Sequence, residues 1–190
     1  NTNGDNVNAA SCSPSMTNSN ENNNNTANDK AGGVYIYGKY SHISMDSTSS
    51  ISSNNSSDDG GGVYIGSDYC SIAGGAISGN TCTSAYSGGG IYAYSENNCI
   101  YNCTLQNNTA KWGGGIYVNN DGFSISDCTI TDNTATDAYG GGVYCTATAN
   151  ISLGGNCQIH DNKAGGAAND LHLGSESQHT FIKSVPSESS

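Results

Sequence analysis

The chain of 190 residues contains no arginine. Its cations are five lysines (Lys30, Lys39, Lys111, Lys163 and Lys183) against 16 acidic residues, a formal net charge of −11. Phosphate binding needs a cationic stripe, so nucleic acid is not an expected partner, nor is an anionic membrane surface. Large apolar residues are few, with 2 Phe, 1 Trp and 2 Met. No apolar run approaches the roughly 18 residues that cross a bilayer, so direct membrane insertion is not expected. Helix formers are scarce beside Gly, Asn, Ser and Thr, which argues against a helical bundle. No secretory signal is visible, and the chain reads as a mature or excised product.

What is present is a repeat. One phrase recurs as Gly32-Gly33-Val34-Tyr35, Gly61-Gly62-Val63-Tyr64, Gly89-Gly90-Ile91-Tyr92, Gly114-Gly115-Ile116-Tyr117 and Gly141-Gly142-Val143-Tyr144. The aliphatic positions are 29, 28, 25 and 27 residues apart, and a degenerate copy with Leu171 and His172 follows after 28. A second phrase lies inside each repeat: Ile51-x-x-Asn54, Ile77-x-x-Asn80, Leu105-x-x-Asn108, Ile130-x-x-Asn133 and Ile159-x-x-Asn162. Period-two stretches between Gly, Asn and Asp turns describe half-buried strands.

The expected fold is therefore all-β: a right-handed parallel β-helix (β-solenoid) of about 5–6 coils of 25–29 residues, three short strands per coil. Residues 31–173 form the β-helix. Residues 1–30, with eleven Asn, read as an Asn-rich N-terminal tail or cap in which Asn25-Thr26-Ala27 suggests the start of a partial coil, and residues 174–190 as a C-terminal tail or cap. Stacking places Val34, Val63, Ile91, Ile116, Val143 and Leu171 inward, and likewise Ile51, Ile77, Leu105, Ile130 and Ile159. Asn54, Asn80, Asn108, Asn133 and Asn162 should stack as an amide ladder that satisfies buried turn backbone. The glycines mark a corner where a Cβ would clash or φ is positive.

The pairing of the Gly-Gly-x-aliphatic-Tyr phrase with the aliphatic-x-x-Asn phrase resembles the repeats of chlamydial polymorphic outer membrane proteins and related adhesin-like β-helix proteins. This chain departs from them in carrying Gly90, Gly115 and Gly142 where Ala is usual, and Leu105, Ile130 and Ile159 where Phe is usual. The membrane-anchoring barrel of those proteins has no counterpart in these repeats. The resemblance spans roughly residues 25–173 and implies a β-helix on a cell surface, often in adhesion.

Candidate sites follow from the register. Tyr35, Tyr64, Tyr92, Tyr117 and Tyr144 should face outward as an exposed aromatic stripe suited to sugar rings or another protein; a self-packing ladder is the plainer outcome. Asp132 and Asp161 precede ladder asparagines in consecutive coils, near Asp127 and Asp137, and paired carboxylates suit glycosidic chemistry or weak Ca²⁺ binding; solvated turns account for them as well. His42, His160, His172 and His179 lack metal-site spacing. No catalytic residue, metal or cofactor is expected.

Eight cysteines (Cys12, Cys70, Cys82, Cys99, Cys103, Cys128, Cys145 and Cys157) suggest an oxidising compartment and structural disulfides. Cys103, Cys128 and Cys157 share one interior column, so three cannot all pair. Among the Asn-x-Ser/Thr sequons, Asn107 and Asn150 should face solvent and accept glycans, whereas Asn54 should be buried. A flat ice-binding threonine array is not supported, since only one coil has Thr-x-Thr on the relevant strand, Thr129 and Thr131. The functional expectation is an extracellular or cell-surface structural or adhesive protein, perhaps a fibre subunit. Its partners would be itself, another surface protein or a glycan. A carbohydrate-binding or polysaccharide-cleaving domain is the alternative.

Overall fold

The computed structural model describes residues 21–83 and 87–174, together with the strands Val7–Ala9 and Ser15–Met16. The described chain is a parallel β-solenoid without helix, its strands stacked into sheets of seven, six, six and seven. The first sheet stacks Val34–Ile36, Val63–Ile65, Ile91–Ala93, Ile116–Val118, Val143–Cys145 and Leu171–Leu173 on Val7–Ala9. The second carries His42–Met45 through Ile151–Gly154, and the third Glu21–Asn23 through Gln158–His160. In the fourth sheet six two-residue strands, such as Thr109–Ala110 and Thr134–Ala135, each follow a ladder asparagine, and a seventh, Ala167–Ala168, folds back antiparallel on Lys163–Ala164. The three longer strands are those the alternation marks; the fourth is too short to show a period.

Like stacks on like. Val63 pairs with Ile91, Ile91 with Ile116, and Ile116 with Val143. Ile77 pairs with Leu105, and Leu105 with Ile130. The parallel register also extends N-terminal of residue 31, with Asn22 opposite Ile51 and Thr26 opposite Asn55. The core is one narrow column of Ile, Val, Leu and Phe123 running through every coil, with Leu153, Ile159, Leu171 and Leu173 half-buried at its C-terminal end.

The coil closes because each turn makes sharp corners with residues in the left-handed region. Asn24, Ser53, Gly79, Asn107, Asp132 and Asp161 form one such column, each just before a ladder asparagine. Ala31, Gly60, Gly88, Gly113 and Gly140 form a second, and Tyr40, Tyr69, Asn97 and Gly122 a third. Asn, Asp and Gly tolerate positive φ at small cost, which is why these types recur there.

The triple glycine has two separate causes. Its first member takes the left-handed corner, with φ of 73° at Gly88. Its other two are too close to the next coil for a side chain: a Cβ on Gly62 would lie 2.7 Å from the Gly90 carbonyl oxygen and 2.8 Å from the Asn80 amide nitrogen.

The asparagines opposite form a polar spine. Asn54, Asn80, Asn108, Asn133 and Asn162 are all buried. The backbone N–H and Nδ2 of Asn80 both donate to Asn108 Oδ1, each at 3.0 Å. Asn108 donates likewise to Asn133 Oδ1 (3.0 and 2.9 Å), and Asn133 to Asn162 Oδ1 (2.9 and 2.9 Å). Each Nδ2 also reaches a core-strand carbonyl in the preceding coil, as Asn108 Nδ2 does to Ile77 O at 2.9 Å. Asn25 heads the series. At the other end Asn162 gives its N–H and Nδ2 to Asp170 Oδ1 at 2.9 and 3.0 Å. Asp170 stands beside Gly142, the place a third glycine takes in the other coils, and its carbonyl accepts from Val143 N–H.

Candidate functional site: the tyrosine face

Alternation along the first sheet turns Tyr35, Tyr64, Tyr92, Tyr117 and Tyr144 outward, away from the aliphatic core. Strand spacing of about 4.8 Å sets such side chains at ring-stacking distance. The rings of Tyr64 and Tyr92 lie 5.2 Å apart at 7°, Tyr92 and Tyr117 5.0 Å at 4°, and Tyr117 and Tyr144 5.0 Å at 19°. His172 continues the stack on Tyr144 at 5.2 Å and 1°. Tyr35 breaks it, meeting Tyr64 edge-on at 5.1 Å and 89°.

This corrects the expected open stripe. Tyr64 is 2% exposed and Tyr92 9%, and both pack with Ala31 in a second apolar cluster outside the core. Outward-facing rings at this spacing bury each other's faces and leave only edges to solvent. Burial pushes the Tyr92 phenol well above its ordinary value and that of Tyr117 up to about 12. Burial also lowers His172.

The accessible aromatic surface belongs to other tyrosines. Tyr37 (51% exposed), Tyr94 (48%) and Tyr139 (46%) flank the stack, touching Tyr35, Tyr64 and His172 respectively at centroid distances of 6.0, 6.1 and 4.6 Å. Strand alternation could have found two of them, because Tyr35 and Tyr37, like Tyr92 and Tyr94, are two residues apart. Tyr40 (71%) and Tyr69 (51%) stack on each other at the third corner, 5.3 Å apart and 15° from parallel. Both hold φ near 60°, a conformation costing a bulky residue roughly 1–2 kcal/mol. Beside them Lys39 Nζ and Asp68 Oδ2 pair at 2.7 Å.

The acidic pair lies at another corner. Asp132 and Asp161 occupy left-handed positions in the column begun by Asn24. Asp132 Oδ2 accepts from Thr131 Oγ1 at 3.2 Å, and Asp161 Oδ2 is 2.7 Å from His160 Nδ1. With Asn162, Lys163 and Ala168 they line a hollow of about 260 Å³. No group of three or more metal-ligating side chains occurs among the described residues.

The expected disulfides are not formed. Cys70, Cys82, Cys99, Cys103, Cys128, Cys145 and Cys157 all carry free thiols, and Cys12 and His179 lie outside the described residues. Most of these thiols are instead satisfied by backbone carbonyls: Cys70 on Gly38, Cys82 on Asp58, Cys103 on Tyr101, Cys128 on Ser126, Cys145 on Ala149 and Cys157 on Gly154. They behave as small core residues. Of the sequons, Asn107 is exposed and Asn54 buried, while Asn150 is half-buried and donates Nδ2 to Asp121 Oδ1 at 2.9 Å.

A family profile described as a right-handed beta helix region matches residues 13–179. The chain belongs to the right-handed β-helix family. Searches of curated proteins and of solved structures gave no significant match. The tyrosine face is thus a feature of this β-helix that membership of the family does not account for, since the fold alone needs only the aliphatic core, the corners and the asparagine spine.

Proposed function

We propose that this β-helix is an extracellular structural or adhesive module whose rod presents aromatic contacts to a surface partner, a glycan or another protein. The observation that carries the reading is the strained, exposed pair Tyr40 and Tyr69. At the same corner of the next coils stand Asn97 and Gly122, which meet the backbone requirement without strain. Two tyrosines held in an unfavourable conformation with their rings in solvent contribute little to folding, and strain of this kind collects where a surface does something else. With Tyr37, Tyr94 and Tyr139 they give the rod exposed aromatic edges, and aromatic residues are enriched where protein surfaces make contacts.

The test is Tyr40→Asn together with Tyr69→Asn, which installs the residue of the neighbouring coil. The double variant keeps or gains thermal stability and loses binding to glycan-coated and protein-coated surfaces. Equal surface binding by wild type and variant, or none by either, overturns the contact role. The hollow between Asp132 and Asp161 favours a second reading, a polysaccharide-active domain. Its signature is chain cleavage that disappears in Asp132→Asn and Asp161→Asn.

A further inference from the structure

The stack of rings from Tyr64 to His172 is regular and ends irregularly at Tyr35. Tyr35 turns its edge to Tyr64, at 89°. Tyr94 leans across the flank, 6.1 Å from Tyr64 and 22° from parallel. The angle among the three rings stays open because Gly66 lies beneath it. A Cβ there would come within 3.0 Å of Tyr35 Cε2 and 3.1 Å of Tyr64 Cε1.

One group occupies the angle. Lys30 Nζ lies 4.8 Å from the Tyr64 ring centre and 5.9 Å from that of Tyr94. Both distances fall within the range of cation–π attraction. No ion pair to Lys30 forms among the described residues, so ring faces take the place of a carboxylate. Asp58 and Asp59 add a negative field without touching the ammonium. Burial opposes the charge on Lys30, yet the Tyr64 hydroxyl, then Tyr35 and Asp58, outweigh it and hold the amine's pKa above its ordinary value.

We propose that the angle between Tyr35, Tyr64 and Tyr94 is a binding site for an alkylated ammonium group, kept shut in the free protein by Lys30. The inference gives the ligand chemistry of one stretch of the aromatic face and so rests on the reading that this face makes contacts. An alkylated ammonium suits the site better than a sugar does. It carries a diffuse positive charge, needs few hydrogen-bond acceptors, and meets ring faces and a distant carboxylate field. Lys30 is itself a stand-in for it, a tethered primary ammonium already seated on the rings. Displacing that tether sets the affinity of the free protein, as in any self-occupied site.

The experiment uses the whole chain and tetramethylammonium chloride, followed by tyrosine fluorescence and calorimetry, with potassium chloride at equal ionic strength as control. Lys30→Ala binds tetramethylammonium saturably and at least about tenfold more tightly than wild type. Adding Tyr94→Ser to that background weakens binding about tenfold. Should Lys30→Ala lose its β-sheet circular dichroism, Lys30→Gln, which keeps part of the stem and removes the charge, replaces it. Free choline and phosphatidylcholine vesicles are the further arms. Binding of choline alone assigns a small-molecule ligand, and binding of vesicles as well assigns a lipid headgroup. A folded Lys30 variant that shows no saturable tetramethylammonium binding overturns the proposal. That result leaves the Tyr40/Tyr69 surface test untouched, so the two readings fail separately.

Discussion

Replacing Asn108 with alanine tests the spine where it is fully enclosed. The side chain accepts two hydrogen bonds from Asn80 and donates to Ile77 O and Asn133 Oδ1. In Asn108→Ala the Asn80 amide nitrogen keeps one partner, Ile51 O at 2.9 Å. The Asn80 backbone N–H keeps none, and at 0% exposure Asn80 has no water to turn to. An orphaned buried donor costs about 1–3 kcal/mol and each net hydrogen bond lost about 1, so the expected destabilisation is roughly 4 kcal/mol. Asn25 provides the internal comparison. Its Nδ2 makes two bonds, but its Oδ1 accepts none, so Asn25→Ala orphans no backbone donor and costs roughly 1–2 kcal/mol. Asn108→Asp is the isosteric control: it turns a carboxylate oxygen toward Ile77 O and Asn133 Oδ1, and is more harmful at neutral pH than in acid. Urea unfolding followed by circular dichroism measures all three. If Asn108→Ala loses no more stability than Asn25→Ala, the asparagines fill space and the hydrogen-bond reasoning is wrong.

The glycine corner makes a second contrast. A Cβ on Gly115 would lie 2.5 Å from the Gly142 carbonyl oxygen, whereas on Gly154 its nearest neighbour is Ser126 Cβ at 3.6 Å. Gly115→Ala therefore costs about 3 kcal/mol or prevents folding, while Gly154→Ala stays within about 0.5 kcal/mol of wild type in the same unfolding assay. The thiols report the interior: burial pushes Cys82 and Cys145 up to about 12, so neither reacts with iodoacetamide at neutral pH until the chain is unfolded. Among the described cysteines, half-buried Cys99 and Cys157 are alkylated before these two, as peptide mass mapping will read. Asp59 sets a pH dependence. Burial raises its carboxyl above the ordinary value, only partly opposed by the Ser87 N–H, so the folded state holds the proton more tightly than the unfolded one. That contribution is fully present below the unfolded value of about 3.9 and is lost as pH rises through the higher folded value. Thermal melts of Asp59→Asn across this window are correspondingly flatter than those of wild type.

The solenoid was legible because its two phrases are periodic and each has one physical cause, glycine for contact between coils and asparagine for buried turn backbone. Sites were less legible, for three local reasons. Strand alternation says which way Tyr64 points but not that its ring lies flat on that of Tyr92, so facing outward does not amount to exposure. A corner in the left-handed region accepts Asn or Asp alike, which made Asp132 and Asp161 look chosen for their charge when Asn107 holds the same place one coil earlier. Composition suggested disulfides, yet a thiol that donates to a carbonyl, as Cys82 does to Asp58 O at 2.8 Å, is already satisfied as a small core residue. Lys30 carried no sequence signal, because its rings come from other coils.

Asp170 has a consequence for how such a rod can be lengthened. Its carboxylate enters from the side where earlier turns keep a bare glycine, and it fills the seat that the amide of one more turn would occupy. Wedge and successor cannot share that seat. Adding rungs beyond this point along the polar spine therefore first requires Asp170 to become glycine, so a designer extending the rod would begin with that residue.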